Sequence, residues 1–153
     1  MDCLSRGPAV KFVFSSPETQ YQDYAKSLLF LEHCVEKGEP DHDALLVLNK
    51  NGLGIHEPKR WHQPPFIIDF TTMDIRTGSG NLSRKQPLAR AVGRQSERIL
   101  DLTSGFGSDT ALLAGMGYQI ECRERHPIIY ALLQDAFGRA AQHPLYSKVL
   151  SQR

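Results

Sequence analysis

The chain has few cysteines, almost no net charge and no long apolar run, and each of these shortages excludes a class of protein. Its 153 residues include only three cysteines, Cys3, Cys34 and Cys122, which lack the spacing of metal ligands and predict free thiols and no metal site. A formal net charge of +1 argues against a surface that binds polyanions throughout. No apolar run approaches the roughly 20 residues of a membrane span, and the start "MDCLSRGPAVKF" has no signal-peptide core. We therefore expect a soluble cytoplasmic protein with no membrane contact.

The first part of the chain, residues 1–80, is predicted to form a small α+β unit. "VKFVFSS" is typical of a short strand, and an amphipathic helix follows from about Tyr21 and ends near Pro40. Two apolar runs around Asn51 and Gly52 indicate a hairpin. The β-branched and aromatic segment "PPFIIDFTT" predicts a further strand.

Strands and helices alternate in the second part of the chain, residues 81–153. Short apolar segments predict strands at 99–103 and 119–124, and amphipathic segments predict helices near 109–115 and 127–141. This order and spacing imply two adjacent parallel strands with right-handed crossovers. The fold class is therefore α/β, and residues 81–153 are predicted to be the first part of a Rossmann-like domain.

Two glycines one residue apart follow the first of these strands, in "SGFGSD". Gly105 and Gly107 would let backbone N–H groups approach a ligand at the carboxyl end of the strand, beside the N-terminus of the next helix. A dinucleotide fingerprint would have a third glycine where this chain has Thr110, so the motif is incomplete. Glu124 ends the second strand 19 residues after Gly105, where an acidic residue accepts hydrogen bonds from ribose hydroxyls. Together these features indicate an adenosine-containing cofactor.

Both NAD and S-adenosylmethionine contain adenosine. S-adenosylmethionine has no pyrophosphate, so a site for it can dispense with the third glycine. An acidic residue near the turn, Asp101 or Asp109, would suit its positive ammonium and sulfonium groups better than a dianion. The sequence therefore favours S-adenosylmethionine over NAD.

A locally basic segment precedes the first Rossmann-like strand. Pro87 and Gly93 fit the start and the end of a short helix, "PLARAV". A solvated helix face is the ordinary interpretation of such charges, and a contact to RNA phosphate is the functional one. The basic residues are Arg84, Lys85, Arg90, Arg94 and Arg98.

Two long stretches carry a family resemblance. "LSRKQPLARAVG" and "RILDLTSGFGSDTALLAGMGYQIECRERHPIIYALLQDAFGRA", together with the strand "PFIIDF", resemble the bacterial small-subunit (16S) ribosomal RNA guanine-N2 methyltransferases of the RsmJ type. The resemblance implies a Rossmann-like S-adenosylmethionine-dependent methyltransferase fold, with small-subunit ribosomal RNA as the partner. It also implies cofactor contacts by Ser108 and Asp109 and by the pair Glu124 and Arg125, although the family commonly has arginine in place of Ser108. The complete predicted cofactor set is Thr103, Gly105, Gly107, Ser108, Asp109, Glu124 and Arg125, and the predicted RNA-binding set is Arg84, Lys85 and Arg90.

The resemblance also implies further strands that are not in this sequence. In the family, a later serine pair and an Asp-Pro segment complete the cofactor and guanine sites, and nothing after Asp109 matches them. We therefore expect this chain to lack the catalytic C-terminal portion, and we name no catalytic residue. We also expect self-association through an open sheet edge. The alternatives are a nicotinamide-dependent oxidoreductase fragment and a non-catalytic RNA-binding or interaction module.

Overall fold

The chain divides by its internal contacts into two compact units, Met1–Ile67 and Ile68–Arg153. The predicted domain boundary between residues 80 and 81 stays a prediction, because residues 75–81 lie outside the described part of the chain. The structure is a computed structural model that describes residues 11–15, 19–27, 34–35, 43–60, 62–74, 82–93 and 96–150.

Among its described residues, the first unit contains a mixed five-stranded sheet and one short α-helix. The strand order is β2-β1-β3-β4-β5, with β1 parallel to both of its neighbours and the pairs β3–β4 and β4–β5 antiparallel. Leu46, Leu48 and Leu53 are fully buried on the central strands. The elements are β1 (Phe12–Ser15), α1 (Gln22–Ser27), β2 (Cys34–Val35), β3 (Ala44–Asn49), β4 (Gly52–His56) and β5 (Phe66–Ile67), with short 3-10 helices at Thr19–Tyr21 and Pro58–Arg60.

The predicted hairpin is confirmed by the pairing of β3 with β4. Asn49 pairs with Gly52, which leaves a two-residue turn. The Asn49 side chain accepts a hydrogen bond from the backbone N–H of Asn51 at 2.8 Å, and Gly52 has φ 119°, in the region that favours glycine.

Two predictions about this unit were wrong in extent. The helix predicted to run toward Pro40 is described over Gln22–Ser27, and Cys34–Val35 forms a strand because it pairs with the edge of β1. The strand predicted over "PPFIIDFTT" is only Phe66–Ile67 long.

Burial raises the pKa of the Cys34 thiol to about 11, so this cysteine is a weak nucleophile at neutral pH.

The segment after β5 turns because Asp69 caps a 3-10 helix, Phe70–Thr72. One oxygen of the Asp69 carboxylate accepts hydrogen bonds from the backbone N–H of Thr71 at 2.9 Å and from its hydroxyl at 2.7 Å. A side chain that satisfies the first free N–H groups of a helix favours a turn over a continuing strand. This cap explains why the apolar run does not stay extended.

The second unit contains the predicted pair of parallel strands. β6 (Arg98–Asp101) pairs in parallel with β7 (Gln119–Cys122), which confirms the predicted adjacency and direction. The elements around them are α2 (Pro87–Val92), α3 (Ser108–Gly115), α4 (Pro127–Gln142) and α5 (Ser147–Leu150). These positions confirm the predicted helices at "PLARAV", 109–115 and 127–141 to within one residue at each end.

Among the described residues, one face of the two-stranded sheet packs against helices and the other is largely exposed. Ile99 and Ile120 pack against a buried cluster that is formed by Ala89, Leu113, Met116 and Tyr118. On the opposite face the Leu100 side chain is 55% exposed. The strand order places only β6 and β7 in this sheet among the described residues. Self-association through its edges stays a prediction.

Helix α4 buries an apolar face, as its 3.6-residue spacing predicts. Pro127 occupies its first turn, a position that proline tolerates because the N–H there has no partner within the helix. The buried apolar residues of α4 are Ile128, Ala131, Leu132, Leu133, Ala136 and Ala140.

None of the helices in the described part of the chain has the length and apolar character that a membrane span needs.

The Asp69 cap predicts a small loss of stability in acid. Partial burial alone would raise the pKa of this carboxyl, but hydrogen bonds from Thr71 and the charges of Arg139 and His143 outweigh burial and lower it. The ionised cap therefore stabilises the fold above the ordinary pKa of about 3.9 and loses this contribution as pH falls through the lowered value. We expect less than about 1 kcal/mol, because solvent screens a side chain that is 40% exposed.

The comparison that measures this contribution is wild type against Asp69→Asn, since asparagine keeps a capping oxygen without the charge. Thermal unfolding from pH 6 to pH 2 should show a gap in melting temperature that closes in acid. A gap that stays constant to pH 2 would show that the charge of Asp69 does not stabilise the fold.

Candidate cofactor site

The glycine turn is built on the carboxyl ends of the two parallel strands. The ladder continues past β6 and β7, since Arg123 N–H donates to the Asp101 carbonyl at 2.7 Å and Ser104 N–H donates to the Arg123 carbonyl at 3.1 Å. The Ser104 hydroxyl donates to the same carbonyl at 3.1 Å. Gly107 N–H then donates to the Ser104 carbonyl at 2.7 Å and closes the turn. The turn is therefore anchored to both strands before α3 begins.

Glycine is required at two positions of the turn. Gly105 has φ 52° and Gly107 has φ 72°, both in the left-handed region. A Cβ atom on Gly107 would also lie 2.6 Å from Leu133 Cδ2 and 3.0 Å from Phe70 Cζ, whereas one on Gly105 would meet nothing closer than 3.9 Å. Gly107 therefore satisfies a packing constraint as well as a conformational one.

Thr110 occupies the position of the missing third glycine and has a contact of its own. It is buried, and its hydroxyl donates to Asp101 Oδ2 at 2.7 Å, while Asp101 Oδ1 accepts from Thr103 N–H at 3.0 Å. The hydrogen bond ties α3 to the end of β6. A side chain at this position is therefore compatible with the turn, which a site without a pyrophosphate allows.

Glu124 spans from the second strand to the glycine turn. Its Oε2 accepts a hydrogen bond from Gly105 N–H at 3.0 Å, and its Oε1 accepts one from His126 N–H at 2.7 Å. Arg123 pairs with Glu121 instead, and no ion pair joins Glu124 to Arg123 or Arg125 within the described ranges. Each carboxylate oxygen has a second lone pair, so Glu124 can accept two further hydrogen bonds from a ligand.

The other predicted cofactor residues lie at the same end of the sheet. Thr103 is exposed in the turn, Ser108 and Asp109 are exposed at the start of α3, and Arg125 is exposed after β7. A cavity of about 420 Å³ adjoins Glu124, and its other lining residues are Cys122, Tyr130, Leu133, Gln134 and Phe137.

The charge of this end of the sheet suits a ligand with hydroxyl and cationic groups. Asp101, Asp109 and Glu124 supply three carboxylates near the turn, and such groups accept hydrogen bonds from hydroxyls and attract ammonium groups. Among the described residues, no group of three or more His, Cys, Asp or Glu side chains could hold a metal ion.

The three predicted RNA-binding residues do not share one environment. Arg84 donates from Nε to the Met116 carbonyl at 3.3 Å and lies 4.5 Å from the centre of the Tyr118 ring, so its charge caps the end of α3. All three residues are exposed, but Lys85 and Arg90 make no such contact among the described residues. The contact with Met116 places Arg84 at the opposite end of α3 from the glycine turn, about 12 Å away along an eight-residue helix.

Sequence reasoning missed three residues that shape the turn. They are Ser104, Thr110 and Phe70. Ser104 binds the second strand, and Thr110 binds Asp101 at the end of the first. Only the absent third glycine hinted at a special role for Thr110. Phe70 contacts the turn from a segment more than thirty residues earlier, and no local pattern could have revealed this.

The two glycines of the turn should differ in their tolerance of alanine. Gly105→Ala adds only backbone strain, about 1–2 kcal/mol, whereas Gly107→Ala adds overpacking against Leu133 and Phe70, for a total of about 2–5 kcal/mol. Urea unfolding of both variants would measure the difference. Equal losses would mean that Leu133 and Phe70 move aside at little cost.

Comparisons with known proteins agree with this geometry. Ribosomal RNA small subunit methyltransferase J of Nitrosococcus oceani is 37% identical over 112 residues, covering 70% of this chain and 43% of that protein. The enzyme of the same name from Thioalkalivibrio sulfidiphilus is 38% identical over 102 residues, covering 64% and 40%. The chain thus spans less than half the length of these curated relatives.

A solved structure and a family model cover more of the chain. The crystal structure of a SAM-dependent methyltransferase from Neisseria gonorrhoeae matches 94% of this chain and 56% of its own, with a TM-score of 0.67 and 19% identity, which shows a shared fold. The model of a family described as "Putative SAM-dependent methyltransferase" matches residues 30–153. This match extends over most of the chain and includes the glycine turn and Glu124, and the chain therefore belongs to that family of SAM-dependent methyltransferases.

Proposed function

We propose that this chain binds S-adenosylmethionine for methyl transfer to guanine N2 of small-subunit (16S) ribosomal RNA. The observation that supports it most is the hydrogen bond from Gly105 N–H to Glu124, which joins the glycine turn to the acidic strand end. The curated relatives named ribosomal RNA small subunit methyltransferase J support the substrate class. The choice of guanine N2 follows from the family resemblance.

The side chains at the turn fit the cofactor group by group. Glu124 has a lone pair free on each oxygen for the two ribose hydroxyls while it keeps its bonds to Gly105 and His126. The first turn of α3 presents free N–H groups and the exposed Ser108 and Asp109 toward the amino-acid part. When bound, S-adenosylmethionine supplies an electrophilic methyl group on a sulfonium.

The residues of this chain contribute by binding and orienting. The exocyclic amine of guanine is a weak nucleophile because its lone pair is delocalised into the ring, so methyl transfer depends on alignment of the reactants. A turn that is fixed by Ser104, Gly107 and Glu124 holds the cofactor without reorganisation when the RNA arrives.

Contacts to RNA phosphate are assigned to Lys85 and Arg90. All three predicted residues are exposed cations, but Arg84 already binds the Met116 carbonyl. Because Arg84 lies at the end of α3 away from the turn, the neighbouring Lys85 would contact a flanking stretch of RNA rather than the target base. Such contacts give affinity and orientation without reading the sequence.

Replacing Glu124 tests the cofactor assignment. Glu124→Ala should weaken S-adenosylhomocysteine binding by about 1–3 kcal/mol, the scale of hydrogen bonds to a charged group. Glu124→Gln should lose less affinity than Glu124→Ala, because the amide oxygen of glutamine can still accept a hydrogen bond from one ribose hydroxyl. Isothermal titration measures both, and NADH is titrated beside them as the competing cofactor.

Glu121→Gln is the matched control, since Glu121 is an exposed carboxylate on the same strand that pairs with Arg123. It should bind S-adenosylhomocysteine like wild type. Tight binding of NADH alone would favour the oxidoreductase alternative. Unchanged affinity in Glu124→Ala would remove this residue from the site.

Binding to a small-subunit ribosomal RNA hairpin tests the phosphate contacts. The double variant Lys85→Ala/Arg90→Ala should weaken binding for all sequences and reduce the slope of log K against log salt by roughly 2, one unit for each lost phosphate contact. Lys59→Ala, which removes another exposed lysine, serves as the control. A salt slope that is unchanged in the double variant would contradict the assignment.

A further inference from the structure

Phe70 lies against the glycine turn. The ring atom Cζ of this buried residue is 3.0 Å from the place where a Cβ on Gly107 would stand. Its ring also stacks at a tilt on Phe137 of α4, with 4.6 Å between the centroids. Gly107, which caps the start of α3 in a left-handed conformation, is therefore packed between Phe70 and Leu133.

The backbone on both sides of Phe70 is held by polar contacts. Asp69 caps the 3-10 helix that begins with Phe70, through its bonds to Thr71. Arg139 of α4 donates to the carbonyl oxygen of Ile68, and its Nη1 lies 3.8 Å from Asp69 Oδ1. At the other end of the segment, the Tyr146 hydroxyl donates to the Met73 carbonyl at 2.5 Å.

Arg139 is itself fixed from within α4. Its Nε donates to Asp135 Oδ2 at 2.8 Å, one helical turn away, and the Asp135 side chain is only 1% exposed. Departure of the guanidinium would remove a hydrogen-bond partner from a buried carboxylate, so it has little freedom to leave. The segment Ile68–Met73 is thereby attached to α4 at several points.

We propose that Ile68–Met73 is a brace for the cofactor site and that Phe70 is a positioning residue that acts through Gly107. The brace holds Gly107, and with it the first N–H groups of α3 and the Gly105–Glu124 bond, in the geometry that receives the cofactor. This inference rests on the proposed function for its ligand, since it takes S-adenosylmethionine to be what the turn binds. It gives a role to the "DFTT" part of a segment that was predicted only as a strand.

The test uses the full chain with Phe70→Ala, Phe70→Leu and Arg139→Gln. Amide hydrogen exchange at residues 105–108 is measured without ligand, and S-adenosylhomocysteine affinity by titration. We expect faster exchange at the turn in all three variants and affinity weaker by about tenfold in Phe70→Ala, since displaced binding groups lose alignment. Phe70→Leu, which refills most of the space, should recover most of the affinity.

The matched control is Met116→Ala. Met116 is buried at the opposite end of α3, in the cluster with Ala89 and Tyr118, so its loss also destabilises the unit through a cavity. It should leave exchange at 105–108 and affinity near wild-type values. If Met116→Ala and Phe70→Ala weaken affinity equally, Phe70 has only a general stabilising role and the proposal is wrong.

The two readouts separate this inference from the proposed function. Wild-type protein that does not bind S-adenosylhomocysteine would refute the cofactor assignment, while exchange at 105–108 would still decide whether Phe70 holds the turn. Normal exchange at the turn in all three variants would overturn the brace. Should Phe70→Ala fail to fold, exchange at 105–108 in Phe70→Leu and Arg139→Gln still tests the brace.

Discussion

The hydrogen bond between Gly105 N–H and the Glu124 carboxylate is the contact on which the candidate site depends. It can form only because β6 and β7 are adjacent and parallel, so that both strands end at the same edge of the sheet. Ser104 reinforces this edge by donating twice to the Arg123 carbonyl. A carboxylate that already accepts bonds from two backbone N–H groups has a fixed orientation, and a fixed acceptor costs a ligand little reorganisation.

What the sequence could predict was set locally, and what it could not predict was set by distant partners. The strands around Ile99 and Ile120 and the helix α4 follow from apolar periodicity, so their positions were predicted closely. Cys34–Val35 forms a strand because β1 offers an open edge, which no window around Cys34 reveals.

The candidate site divides in the same way. Gly105, Gly107 and Glu124 were predictable because fixed spacings place them at the strand ends. The hydrogen bonds around them were not predicted, for example those that Asp101 accepts from Thr103 and Thr110. Phe70 was not predicted, because its contact with Gly107 joins positions far apart in the chain and depends on how α4 packs.

Helix α3 separates two kinds of charge. Its N-terminus, with free N–H groups, faces the acidic turn, and its C-terminal carbonyls bind Arg84. Both arrangements match the direction of the helix dipole, which favours negative charge at the start and positive charge at the end. The guanidinium of Arg84 is thus explained by the stability of α3, and Arg90 has a similar place in the last turn of α2.

The pair formed by the buried Asp135 and the partly exposed Arg139 is hard to explain by stability alone. Removing the carboxylate from water costs several kcal/mol before its attraction to the cation is counted, and an apolar residue of similar size is often as stabilising. An apolar pair, however, could not bind the Ile68 carbonyl or approach Asp69, because both contacts need a cation with several donors in a fixed plane. The pair therefore gives the segment around Phe70 one defined position beside Gly107, and defined position is what a preorganised binding turn requires.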